Sequence, residues 1–260
     1  MADSRPLYSN VFTLLLYFAL SGTLFFLPFN LIHAQGYSAT AASGAVAPVV
    51  VIMFLLSRYT GSLADRFGPR LPLVVGPLVS AAGFVLFAVP GLGAPYWTTF
   101  FPAAVVLGVG LAILVPAVTT VALNSVEVRH SGLASAINNS FSQIAGLLAV
   151  AVLGVVMFSS FGASLDARLS GLDLPRDARQ QLEGEKLALG AAEAPTGLDA
   201  GSRADVERAI DEAFVSGYRV VMLVVTAVAL TSALGATLLI EGKKVPEEQS
   251  DDLETKVLAV

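Results

Sequence analysis

Six long apolar runs, separated by polar or charged breaks, account for most of this chain. The first, residues 10–33 (NVFTLLLYFALSGTLFFLPFNLIH), has no acidic side chain, lysine or arginine. As a helix rising 1.5 Å per residue it reaches ~36 Å, enough to cross a hydrocarbon core of about 30 Å. A cleaved leader is the rival reading, but its apolar core is only about 7–15 residues long. Further spans are expected at about 41–57, 71–89, 98–123, 132–158 and 218–240. The sequence therefore predicts an all-α polytopic membrane protein with six transmembrane helices in one domain covering residues 1–260.

The breaks differ in character. Residues 34–40 and 90–95 are short uncharged turns, the second followed by Tyr96 and Trp97 as an interfacial anchor. The stretch from Gly61 to Arg70 is a charged turn, flanked by Arg58 and containing Arg66 and Arg70. Another polar turn covers residues 124–131. Residues 162–217 hold much of the charge and are acidic overall. They are expected as a water-exposed loop without its own core, loosely ordered over 187–201, with a short helix at 202–214 capped by Ser202. Residues 241–260 form a polar tail.

Lysine and arginine sort these breaks by side. Arg5, the Arg58–Arg70 turn, Arg129 and the Lys243–Lys244 tail fall on one side; the two short turns opposite have neither residue. Positively charged short loops stay in the cytoplasm. Both termini are thus expected in the cytoplasm of a cell that carries the chain in its inner or plasma membrane. The 162–217 loop is expected outside, since long loops cross with less regard to charge.

Composition supports the membrane reading. Hydrophobic residues make up 55% and charged residues 13%, with mean hydropathy +0.74. A soluble domain carries about 25% charged residues. Cysteine is absent, so no thiolate ligand or thiol nucleophile is available. No metal site, cofactor or catalytic residue is expected, and no basic patch suggests nucleic acid. His33 lies at the outer margin, as a wetted interface residue or a pH-sensitive one.

The polar groups inside the spans are uncharged. Ser135, Asn138, Asn139 and Ser142 fall at i, i+3, i+4 and i+7, on one helical face. An amide facing lipid leaves its donors unsatisfied, at roughly 4–8 kcal/mol in an alkane-like medium. That face must meet another helix or line a substrate cavity. Asn30 is a second cavity candidate, because Pro28 is expected to interrupt the helix beside it.

Gly61-x-Leu63-Ala64-Asp65-Arg66-x-Gly68-x-Arg70 resembles the signature turn between the second and third helices of a six-helix half in the major facilitator superfamily. Pro69 replaces the usual basic residue. The text of spans four and five and the Ala213–Arg219 entry to span six resemble the carboxyl-terminal half of fourteen-helix drug:proton antiporters. The resemblance covers about residues 10–241 and implies two inverted three-helix repeats. It implies proton-driven, alternating-access export of small hydrophobic or cationic compounds, with Gly61, Asp65, Arg66, Gly68 and Arg70 as a conformational latch. It also implies an amino-terminal half, or a second copy in a homodimer, as partner. The proton-carrying acids of the family lie mainly in that other half. The alternative is a scaffold or interaction protein, derived from such a half, that no longer transports.

Overall fold

The computed structural model describes residues 5–68, 70–124 and 131–239. Six helices there are long and apolar enough to cross a membrane. They are α1 (Arg5–His33), α2 (Ala39–Phe67), α3 (Arg70–Ala88), α4 (Phe100–Asn124), α5 (Ser131–Leu169) and α7 (Ala200–Leu239). A shorter α6 (Arg176–Glu185) and a 3₁₀ helix (Lys186–Ala191) lie between α5 and α7. No strand occurs among the described residues. The polar residues 125–130, Pro69 and the 241–260 tail lie outside the described residues.

Helices close tightly where small residues face each other. Backbones approach best in lipid when the contact residues are small, since packing drives association there. A Cβ added to Gly83 of α3 would lie 2.8 Å from the Leu107 backbone nitrogen of α4. One added to Gly110 of α4 would lie 2.6 Å from the Ser80 nitrogen of α3. No side chain fits at either place. Gly110 is therefore a packing point between α4 and α3.

Pro28, Pro48, Pro77 and Pro116 all lie inside continuous helices. The expected interruption of α1 at Pro28 does not occur; the helix runs through it to His33. In a bundle, neighbouring helices stabilise a turn that has lost one hydrogen bond.

Helices α5 and α7 differ most from expectation. With 39 and 40 residues they reach about 60 Å, twice a hydrocarbon core. Along α5, Ala145, Ala149, Leu153, Met157, Phe161, Leu165 and Leu169 are all buried. A four-residue step overshoots a full turn by about 40°, so this stripe winds round the helix. Accordingly α5 meets α1 early, with Gly22 against Leu153, and α7 later, with Gly217 against Met157.

Residues 162–217 are thus largely helical and share the core of the bundle. The outer parts of α5 and α7, with α6 and the 3₁₀ helix, form a cap built on Leu165, Leu169, Leu182, Val206, Ile210 and Phe214. Arg168 of α5 pairs with Glu212 of α7. Lys186 donates to Asp166 (2.7 Å) and Glu183 (2.7 Å). Burial works against the Lys186 ammonium, but the hydrogen bonds and charges of Asp166 and Glu183 outweigh it and raise its pKa. Helix α7 starts at Ala200, so Ser202 is not its cap. The Asp199 carboxylate accepts from the Gly201 (2.9 Å) and Ser202 (3.1 Å) amides instead. The Ser202 hydroxyl and these amides hold its pKa below the usual carboxylate value.

Candidate functional site

Two groups of residues matter, the α2–α3 connection and the polar positions of α1 and α5. Helix α2 continues to Phe67, so Gly61, Asp65 and Arg66 lie on its last turns and not in an open turn. Their side chains lie outside what is described. Gly68 follows the last residue of α2. Gly68 has φ 76° and ψ 166°, a backbone state that side chains disfavour, which is why glycine stands there.

Arg70 opens α3 and reaches across to α7. Its guanidinium donates to the Thr237 carbonyl at 2.9 Å. Carbonyls near a helix carboxyl terminus lack partners and carry partial negative charge, so a cation is favourable there. Sequence reasoning missed the matching contact at the far end of the same pair. Arg219 of α7 donates from Nε to the Ala88 carbonyl at 2.9 Å, at the last residue of α3. The antiparallel pair α3–α7 is therefore tied at both ends by an arginine on the partner's final carbonyls. Arg219 begins an apolar stretch, which is the signal that could have marked it.

The α5 polar positions separate. Asn138 turns towards α1, where the Thr13 hydroxyl donates to its Oδ1 at 2.7 Å. Ser142 donates back to the Asn138 carbonyl at 2.9 Å. Ser135 and Asn139 are exposed on the adjacent face, together with Gln143. Those three residues stand at i, i+4 and i+8, so the exposed stripe is Ser135–Asn139–Gln143. Gln143 was absent from the expected set, although its four-residue spacing from Asn139 marks it. Asn30 is buried, with 2% of its surface exposed.

A cavity lined by Leu16, Ser80, Phe84, Leu111 and Ser232 among others has a volume of about 10 Å³. Ligand pockets run to about 300–1,000 Å³. Asn30 does not line this cavity. The outer faces of the helices are the other surfaces that the chain offers.

Those faces are unequal. In α2 only 11% of the apolar segment is buried and in α5 28%, against 56% in α3 and α4. The α2 surface presents Phe54, Leu55, Val50 and Val51, and α5 presents Leu147 and Val155 beside the polar stripe.

Residues 5–168 match the Major Facilitator Superfamily profile. The chain belongs to this superfamily. The match ends one residue before the end of α5, so α6 and α7 lie beyond it. The chain is similar to the tetracenomycin C resistance and export protein of Streptomyces glaucescens, with 32% identity over 259 residues. That alignment covers 97% of this chain and 47% of that protein. It is also similar to the methylenomycin A resistance protein of Bacillus subtilis, at 32% over 56% of this chain and 31% of that protein. The multidrug resistance protein Stp of Mycobacterium tuberculosis is 26% identical over 59% of this chain and 28% of its own length. The chain thus spans about half the length, or less, of these relatives.

Proposed function

We propose that this chain is one six-helix half of an efflux transporter. It exports small hydrophobic or cationic compounds by alternating access, coupled to protons. The observation that carries this reading is the alignment of nearly the whole chain with only 47% of an export protein. The poorly buried faces of α2 and α5 support it, because such faces suit a second six-helix unit, either an amino-terminal half or another copy.

In this reading Ser135, Asn139 and Gln143 line the space between the halves, and Asn138 holds α5 against α1. Gly61, Asp65, Arg66, Gly68 and Arg70 form the latch. Arg70 fixes α3 to α7 while α2, with its last turns, moves against the other half. The unit sits in the cell membrane with both termini cytoplasmic and the helical cap outside.

The test is drug accumulation in an efflux-deficient bacterium. Cells expressing the chain with an amino-terminal half should expel ethidium when a proton gradient is present. Efflux that is the same without this chain would refute the proposal, as would efflux that survives collapse of the gradient for the coupling claim.

A further inference from the structure

We infer that Thr60 is a positioning residue for transport, which seats the last turns of α2 on α4 through a carbonyl that Pro116 leaves free; this rests on the efflux-half reading. In a regular helix the carbonyl of residue 112 is bonded by the amide of residue 116. Residue 116 is a proline inside α4, and it has no N–H to give. Ala112 is fully buried, so bulk water does not replace that donor. An unpaired carbonyl among apolar helices is costly, and a neighbouring helix can supply the missing partner. Here the partner is the Thr60 hydroxyl, which donates from α2 to the Ala112 carbonyl.

That hydroxyl has an alternative. Its oxygen also lies 3.3 Å from the Leu56 carbonyl and 3.3 Å from the Ser57 carbonyl, both in its own helix. A threonine has one O–H to donate, and helical threonines commonly bond back to the preceding turn. Turning the O–H bond therefore exchanges a contact between helices for one within α2. The rest of the α2–α4 contact has no such choice. Towards the start of α2, the Tyr96 hydroxyl donates to the Ala45 carbonyl at 2.8 Å. Midway, a Cβ added to Gly108 of α4 would lie 3.0 Å from the Val49 carbonyl of α2. Helix α4 is itself locked on α3 at Gly83 and Gly110. The end of α2 is thus the part free to leave, and Thr60 immediately precedes Gly61 of the proposed latch. Seating α2 through Ala112 and releasing it to Leu56 or Ser57 gives those last turns two positions.

A double-mutant cycle in the full chain tests the contact. Thr60→Val keeps the shape and removes the hydroxyl, whereas Pro116→Ala returns an amide to the Ala112 carbonyl. With Pro116 in place, Thr60→Val should lower Tm by about 3 °C, the loss of one neutral hydrogen bond. In the Pro116→Ala background the same change should have little effect. Spin labels at Phe54→Cys and Leu238→Cys, both exposed positions in a chain without cysteine, read the distance from α2 to α7. Thr60→Val should shift the balance between a seated and a released distance about fivefold, and Thr60→Ser should restore it. Transport is read as initial ethidium efflux in cells that express the chain with an amino-terminal half. There Thr60→Val should lower kcat by up to about fivefold with KM unchanged, and Thr60→Ser should recover it. Equal Tm losses in both backgrounds would overturn the link to Pro116. Unchanged distances and kcat in Thr60→Val, or a Thr60→Ser variant no better than it, would overturn the positioning role while leaving efflux intact. No ethidium efflux by the wild type would remove the efflux reading, and the inference with it.

Discussion

The α3–α7 pair and the open faces of α2 and α5 are built on different principles. On the first, 56% of the α3 apolar segment is buried, glycine faces backbone, and arginines close both ends. On the second, 11% of α2 is buried and amides stand open beside valines and leucines. Both sides are apolar enough for lipid. Only the first is finished as a protein interface. The second exposes Asn139 and Gln143, whose amides lipid cannot pair.

The largest expected effect breaks this contrast on the packed side. Gly83→Leu drives a side chain into the Leu107 backbone, which cannot yield as a flexible side chain would. It should destabilise the unit by about 3 kcal/mol, at the upper end for overpacking. Gly44→Leu on α2 meets open space and should change stability by less than about 0.5 kcal/mol. Thermal unfolding in detergent, followed through the single tryptophan, measures both. Equal effects at the two glycines would erase the distinction between the sides.

The next effect concerns the clamp. Arg219→Gln removes a charged donor from the Ala88 and Val89 carbonyls. Because Arg219 is exposed, the loss should be about 1 kcal/mol, below the value for a buried charged hydrogen bond. Arg219→Lys should restore part of it, since the charge remains but the planar fork does not. A stability change in Gln that Lys does not recover at all would show that the forked guanidinium geometry, and not the positive charge, holds the end.

On the open side, Asn139→Leu in the isolated chain should leave unfolding unchanged within about 0.5 kcal/mol, because the residue is exposed there. A clear destabilisation would mean that the amide is already satisfied within this half. Asn138→Leu, by contrast, removes the partner of Thr13 and should cost about 1 kcal/mol.

How much of this was legible in the sequence follows from range. The spans were readable because each apolar run is local and long. The family followed from the spacing of Gly61, Asp65, Arg66, Gly68 and Arg70. The ends of α5 and α7 were not, because charge at Asp166 and Arg168 suggested a loop. The four-residue series through Leu165 and Leu169 was the better guide to where that helix stops. Arg219 on Ala88 joins residues 131 positions apart, and no local pattern announces it. Asn138 and Asn139 were placed on one face because 100° separates them on a helix; which of the two meets α1 depends on how the helices are rotated, and that is set by packing.

The smallest effect sits in the cap, at the start of α7, which gives the comparison a control. Asp199 is exposed, and its carboxylate is held below the usual range by the Ser202 hydroxyl and the amides of α7. Its depressed folded value means that the unfolded chain binds the proton more readily. The cap therefore gains stability from this group above the ordinary carboxylate value and loses it as pH falls through the lowered one. Asp199→Ala should remove that acid dependence and fray the start of α7, read as faster hydrogen exchange at Gly201 and Ser202. The arginine clamp and the α3–α4 contact involve no carboxylate. If acid loosened the α3–α7 pair as much as the start of α7, the cap and the bundle would be one cooperative unit and not two. The shared core of Leu165 and Phe214 favours some coupling, but Asp199 lies just before the start of α7, roughly 28 Å along the helix from Tyr218 at ~1.5 Å rise per residue.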